Sequence, residues 1–383
     1  MKTSLKGLSV GFLYDDSLDR SDGVSQYVKT LGAWLSGQGH QVVYLVGETK
    51  LKEWAGAPVF SLSKNLSVNF NGNQVNTPLP ASSKLINQVL AKHNLDVLHV
   101  QMPYSPLLAG KVINRTSPQT AVVGTFHIYP AGLMAHGGSR FLKIICSGSL
   151  PRFNAVLNVS SASSSFATSA FGLKTIDSSN VVELIRFSRA KNKPQSYHIV
   201  FLGRLVKRKG CLQLLRAFKL LSQAIPEARL SIGGDGPAKR QLENYVEQNN
   251  LQSSVKFLGF ISEQTKPELL ASASIACFPS LGGESFGIVL IEAMAVGASV
   301  VLGGNNPGYA SVLGERPETL FDPKDAAQLA LKLERFMSDK QLSDSVHDWQ
   351  QVHVRNYDIE TVGPQILKLY NEAIDKQALS GHN

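Results

Sequence analysis

Two glutamates, Glu284 and Glu292, sit eight residues apart on Gly282-Gly283-Glu284-Ser285-Phe286-Gly287-Ile288-Val289-Leu290-Ile291-Glu292, a glycine-rich turn running into a helix-forming stretch. A turn of this kind leaves backbone N–H groups free and sets the positive end of a helix dipole at its mouth. That end suits an electron-rich ligand, sugar hydroxyls and phosphate included. At a helical rise of about 1.5 Å per residue, the two carboxylates stand roughly 12 Å apart. This is too far to share one proton or one metal ion. It suits two hydroxyl-bearing rings joined by a diphosphate. A capping glutamate plus a surface glutamate would give the same spacing, so spacing alone leaves both readings open.

Other residues could serve the same chemistry. Gly203-Arg204-Leu205-Val206-Lys207-Arg208-Lys209-Gly210 follows an apolar run, and a guanidinium and an ammonium on that loop could neutralise a departing diphosphate. Lys207 and Arg208 are expected in solvent. His127 closes Gly124-Thr125-Phe126-His127, where a structural role competes with a role near a reacting group. His99 is expected to shape its strand end. Ile232-Gly233-Gly234-Asp235-Gly236-Pro237 is not a dinucleotide fingerprint, because Lys239 stands where the third glycine belongs. No acidic metal-binding motif stands out, so no metal and no cofactor are expected.

The elements that must hold these loops can be read from hydrophobic periodicity. Leu8–Tyr14, Val42–Val46, Val97–Gln101, Ala121–His127 and Ala155–Val159 read as strands, with helices over Val24–Ser36, Ser82–His93 and Ser163–Phe171. After the polar connection at 189–195 the pattern restarts. Strand-like runs at 198–202, 229–232, 255–258, 275–278 and 299–302 alternate there with helices near 211–222, 237–249, 265–272, 286–296 and 324–337. Continuously apolar strands indicate parallel sheets covered on both faces. The fold class is therefore α/β, with two doubly wound, Rossmann-like domains, 1–190 and 196–357. A last helix within 358–383 is expected to cross back onto the first domain. Ligands of such sheets bind beyond the carboxyl ends of the strands, so a shared ligand is expected in a cleft.

Charge is distributed unevenly. Residues 1–190 carry 17 Lys and Arg against 9 Asp and Glu, a balance of +8 out of +9 for the whole chain. No acidic residue occurs between Asp96 and Asp177. A surface of one sign favours an anionic partner, and Phe141-Leu142-Lys143-Ile144-Ile145, between Arg140 and Arg152, reads as an amphipathic membrane contact or a core-packed helix. Nucleic acid is not expected, since the one compact basic run, Lys207–Lys209, has no aromatic interleaving. No apolar run of 18 residues could span a bilayer. Three cysteines without ligand spacing imply neither disulfides nor zinc, and a cytoplasmic location is expected.

The segment Gly-Gly-Glu-Ser-Phe-Gly-Ile-Val-Leu-Ile-Glu-Ala-Met-Ala resembles the signature of the retaining family-4 glycosyltransferases, which have the two-Rossmann GT-B fold. Within that family the pattern is similar to the phosphatidylinositol mannosyltransferases. The resemblance implies hexose transfer from a GDP- or UDP-sugar. It places Glu284 on hydroxyls of the transferred sugar, with backbone groups at Ser285, Phe286, Gly287 and Ile288 assisting, and Glu292 on the ribose. It places Arg204 and Lys209 on the diphosphate and His127 near the reacting sugar or acceptor. Gly234 and Phe260 fall on nucleotide-side loops, and Gly23 in a loop over the donor phosphate.

Two departures stand out. Asp22 replaces a glycine of the family's Gly-Gly-Val, and Val182–Ser188 lacks the Ile-Pro-Asn-Gly-Val-Asp-like segment. The acceptor implied is a membrane lipid of the phosphatidylinositol type, with the protein peripheral on the inner face of the plasma membrane. The alternatives are a soluble enzyme acting on a small sugar or polysaccharide, and a donor-binding protein without transferase activity.

Overall fold

The computed structural model describes residues 7–19, 22–70, 73–103, 105, 107–127 and 143–380, without side chains for 67–70, 73–77 and 380. The chain forms two compact units, one of residues 1–181 with 359–383 and one of residues 182–358.

The first unit is built on eight strands. In chain order these are β1 (Ser9–Tyr14), β2 (Gln41–Val46), β3 (Glu53–Trp54), β4 (Ala57–Ser61), β7 (Val97–Gln101), β8 (Ala121–Phe126), β9 (Phe153–Asn158) and β10 (Ile176–Asp177), with a separate antiparallel ribbon of β5 (Asn65–Phe70) and β6 (Asn73–Pro78). Their order in the sheet is β10-β9-β8-β7-β1-β2-β4-β3, and only the β3/β4 pair is antiparallel. β1, β7 and β8 are buried along their whole length, polar His99, Gln101 and Thr125 included, which explains their mostly apolar sequences. From β1 the chain builds outward through β2 and then returns to place β7 on the other side of β1. The carboxyl ends of β1 and β7 therefore flank a topological switch point, where α/β sheets leave a crevice.

Helix Ile359–Ser380 completes this unit, as the sequence leads one to expect. Its Val362, Ile366, Tyr370 and Ala373 pack into the same core as Val10, Phe12, Tyr27 and Leu31. Ile366 and Tyr370 are wholly buried, each contributing roughly 1.5–3 kcal/mol of apolar burial. His99 is tied to this helix, its Nδ1 lying 2.7 Å from the Tyr370 hydroxyl and its Nε2 2.6 Å from Thr125 Oγ1.

The second unit has six parallel strands, β11 (Gln195–Leu202), β12 (Arg229–Gly233), β13 (Val255–Gly259), β14 (Ala273–Phe278), β15 (Val300–Gly304) and β16 (Leu320–Phe321), ordered β13-β12-β11-β14-β15-β16. Here the switch point falls between β11 and β14. The loops leaving those two strands, 203–210 and 279–287, are the two that carry the candidate chemistry.

Two sequence expectations change, and one stretch that the periodicity leaves unassigned takes on structure. The helix after the glycine turn starts at Ile288, not Phe286, so between Glu284 and Glu292 only Ile288–Glu292 follows helical spacing. The region 53–78, which shows no clear period, forms four short strands. The division of the chain falls before Val182 and not at the polar connection near 190. Val182 pairs with Asp358 and donates its amide to Tyr357 O, while Arg186 reaches Glu263, so 182–190 belongs with the second unit. Of the amphipathic stretch anticipated at 140–145, Arg140, Phe141 and Leu142 lie outside the described residues.

Candidate active site

The second unit holds two carboxylate clusters. In the first, Glu284 Oε1 accepts from Arg208 Nη1 at 2.8 Å, Lys209 Nζ at 2.8 Å and Ser280 Oγ at 2.7 Å. All three contacts fall on one oxygen, so Oε2 has no partner among the described residues. Burial pushes the Glu284 carboxyl up, but Lys209 and Arg208 outweigh it and hold the group below the usual carboxylate range. It stays ionised at any physiological pH and keeps one oxygen available to accept from a hydroxyl.

Local backbone explains how the loops meet. Gly210 adopts φ +72°, and a Cβ there would lie 1.8 Å from Pro279 O. Only glycine lets loop 203–210 lie flat against the loop that carries Glu284. Gly287 precedes the helix at φ +111°, where a Cβ would strike the Tyr309 ring at 2.6 Å. Asn306, which the sequence leaves without a role, caps helix Pro307–Leu313 through the Tyr309 amide and donates to Ser280 O, bracing the same turn.

In the second cluster, Glu292 Oε1 lies 2.7 Å from Lys266 Nζ, which also sits 2.8 Å from Glu263 Oε1. Both Lys266 and Glu292 are more than nine-tenths buried. Burial alone would lower the lysine, but Glu292 and Glu263 hold it above its ordinary value. Burial raises Glu292, and the pull of Lys266 offsets only part of that. Glu284 and Glu292 therefore have separate cationic partners.

Of the residues singled out by sequence, Glu284 and Lys209 are brought together and Glu292 lies in its own cluster. Arg204 is exposed on the same loop as Lys209, and Phe260 is 73% exposed just past the end of β13. Arg208, expected in solvent, is instead paired to Glu284. The sequence motifs assign no role to Lys266. A faint signal existed, since a lysine followed by proline in the first turn of a helix opposes the helix dipole and implies an anionic neighbour.

His127 and Gly23 belong to the first unit. Asp22 does not face outward. Its Oδ1 accepts from the amides of Val24 and Ser25 at 3.0 Å and from the Tyr14 hydroxyl at 3.2 Å, capping helix Gly23–Gly37. The helix end that would greet a phosphate through Gly23 is thus already filled by the chain's own carboxylate. Burial raises the Asp22 pKa, with Asp16 adding to it against the two amides.

At the same edge His127 Nε2 lies 2.6 Å from Gln101 Oε1, and its ring meets Tyr27 edge-on at 4.9 Å. Burial lowers its pKa to about 3, so it is neutral. A neutral imidazole donating from Nε2 presents Nδ1 as an acceptor. Gln101→Leu should leave that N–H unpaired and cost about 1–3 kcal/mol, read as a lower denaturant midpoint. Gln101→Glu should restore the bond and draw the imidazole pKa upward, read by NMR titration.

Asp15, one residue beyond β1, is 3% exposed, and burial raises its pKa to about 7. Ser105 and the Ala109 amide lie near, but neither completes a hydrogen bond to it. A raised carboxyl binds its proton more tightly in the folded state, so its penalty grows as pH rises from about 4 to about 7 and is constant above. Asp15→Asn should therefore raise Tm at pH 8 and leave it nearly unchanged at pH 4. Thermal melts at both pH values check this.

Glycosyl transferases group 1 is the family that matches residues 182–351, and Glycosyltransferase Family 4 matches residues 21–178. The phosphatidyl-myo-inositol mannosyltransferase of Mycolicibacterium smegmatis is 27% identical, over 95% of this chain and 93% of that one. The enzyme of the same name from Propionibacterium freudenreichii is 28% identical, over 97% of both. Among solved structures, a glycosyltransferase from Rickettsia africae superposes with a TM-score of 0.76 at 18% identity, covering 96% of this chain and 99% of its own. Anabaena HepE in complex with UDP and glucose gives 0.75 at 18% identity, covering 95% and 99%. Likeness at that identity speaks for fold, and the matched families speak for ancestry. With residues 21–178 of the first unit and 182–351 of the second matched, the chain belongs to the family-4 glycosyltransferases and has the GT-B fold of two Rossmann-like domains.

Proposed function

We propose that this glycosyltransferase moves a hexose, mannose or glucose, from a GDP- or UDP-linked donor to a hydroxyl of a phosphatidylinositol-type membrane lipid, with retention of configuration. The name shared by the full-length relatives supports the lipid acceptor. The observation that carries the donor assignment is Glu284, charged and held through one oxygen by Arg208, Lys209 and Ser280.

In this reading Glu284 Oε2 accepts from a hydroxyl of the transferred sugar. Lys209, with Arg204 and Arg208, turns toward the diphosphate as it departs, and free amides at the start of helix Ile288–Ala295 take further charge. These cations do the work that a divalent ion does elsewhere, and no resident metal or cofactor is assigned. Glu292, steadied by Lys266, accepts from the ribose, and the loops at Gly234 and Phe260 lie on the base side. Neutral His127 accepts from a hydroxyl of the reacting sugar or the acceptor. The acceptor oxygen arrives on the face that the diphosphate leaves, so positioning and charge stabilisation carry the rate.

The test is a turnover screen of GDP-mannose, GDP-glucose and UDP-glucose with release of free nucleotide as readout, with and without phosphatidylinositol. Release that requires the lipid is expected. Turnover only with soluble sugars would replace the lipid acceptor. Nucleotide-dependent thermal stabilisation without any release would replace transfer with donor binding.

A further inference from the structure

Glu292 is the inner end of a line of alternating charge. Arg186 Nη2 donates to Glu263 O at 2.8 Å and lies 3.5 Å from Glu263 Oε2. Glu263 Oε1 sits 2.8 Å from Lys266 Nζ, which is 2.7 Å from Glu292 Oε1. Side-chain exposure falls along the line, from 36% at Arg186 through 20% and 9% to 8% at Glu292. A cation near the surface is thereby joined to a carboxylate that water hardly reaches.

Arg186 is itself held firmly. It stands in the short helix Leu184–Phe187, whose first amide donates to Asp358 Oδ1 at 3.3 Å. Phe187 beside it is buried, and the guanidinium lies 5.4 Å from the centre of that ring. This is the stretch that lacks the Ile-Pro-Asn-Gly-Val-Asp-like segment, and no arginine belongs to that segment.

The line bears on Glu292 because Lys266 stands between two carboxylates. Burial raises the Glu292 carboxyl and Lys266 pulls it down, while Glu263 and Arg186 act on it from further off in opposite senses. With Arg186 in place, Glu263 is braced from its outer side through both carbonyl and carboxylate. Without that brace, Glu263 competes for the ammonium and draws Lys266 away from Glu292. Attraction between charges is several times stronger in such partly dry surroundings than in water, so the loss of one partner is felt by the others.

We infer that Arg186 is a positioning residue for the donor: by bracing Glu263 it keeps Lys266 against Glu292, and so aims the carboxylate that accepts from the ribose. The inference rests on the ribose contact proposed above and names what fixes it.

The test is calorimetry on the full chain with GDP, UDP and their 2′,3′-dideoxy forms, which lack the hydroxyls that Glu292 meets in this reading. Wild type should bind the ribose forms about tenfold more tightly than the dideoxy forms, the scale of a hydrogen bond to a charged group. Arg186→Met should shrink that ratio to about threefold by weakening the ribose forms alone. Arg186→Lys, which keeps the charge, should restore part of it. Melting temperature should hardly move, since the Arg186 side chain is one-third exposed. In turnover, donor KM should rise about threefold in Arg186→Met at an unchanged kcat.

Equal weakening of ribose and dideoxy forms by Arg186→Met, or a full wild-type ratio in that variant, would overturn the inference and leave the proposed function standing. Wild type that binds both forms alike, or binds neither, would refute the ribose contact and the inference with it. A chain whose ribose preference disappears in Arg186→Met, yet which transfers no sugar, would uphold the inference and remove transfer alone.

Discussion

Glu284→Ala is expected to lower transfer by roughly 10³-fold, the scale on which a preorganised polar contact at a reacting centre acts. Folding should hardly change. The carboxylate's partners Arg208 and Lys209 are one-third and one-fifth exposed, so water can take over their solvation, and the loss should stay within about 1 kcal/mol. The same substitution should not weaken binding of the nucleoside diphosphate. Removing the anion frees Lys209 and Arg208 for phosphate, so calorimetry should find equal or tighter binding of GDP or UDP. Turnover near the wild-type rate would remove Glu284 from the sugar site. Loss of diphosphate affinity alongside turnover would mean that the loop collapses without its carboxylate.

Lys266→Met should give the largest loss of stability. Lys266 and Glu292 are both more than nine-tenths buried and 2.7 Å apart. Deleting the lysine strands a buried carboxylate, which costs about 3–5 kcal/mol. The stranded group would respond by taking up a proton, so the loss should be smaller at pH 5 than at pH 8. The double variant with Glu292→Leu should regain most of the stability, since apolar replacement of both partners leaves no buried charge. Denaturant melts of the two variants at both pH values check this, and equal stability of Lys266→Met and wild type at pH 8 would refute it. Donor KM should rise in Lys266→Met, because the ribose contact proposed for Glu292 depends on its being fixed.

Much of this architecture was legible in the chain. The core strands β1, β7, β8 and the buried end of β11 read as mostly apolar runs because both faces of a parallel sheet are covered, and the restart near 198 marks a second sheet. The strands within 53–78 were not legible, being short and rich in Asn, Ser and Pro, so no face of them repeats.

At the site, Glu284 and Lys209 could be named because their motif is long and specific. Arg208 could not, because three adjacent cations look alike in sequence. Which of them turns inward is decided by the turn Lys207–Lys209 and the left-handed Gly210 that follows it. Lys266 stands 26 residues before Glu292, and a lysine at that distance carries no mark of its partner until the strands are in order. Asp22 was recognised as a departure but its consequence was not. Only the backbone shows that it occupies its own helix's N-terminus.

Helix Ile359–Ser380 belongs to the unit that the chain began, after the whole of the second unit has been laid down. A ribosome therefore finishes residues 182–358 while the first sheet still lacks Val362, Ile366, Tyr370 and Ala373. The second unit is free to fold early, whereas the unit begun before it is closed after it. His99 waits for the Tyr370 hydroxyl until 271 further residues have been made. A chain stopped short of 359 should emerge with one finished half and one half exposing a strip of its core, the half that a chaperone or protease would seize.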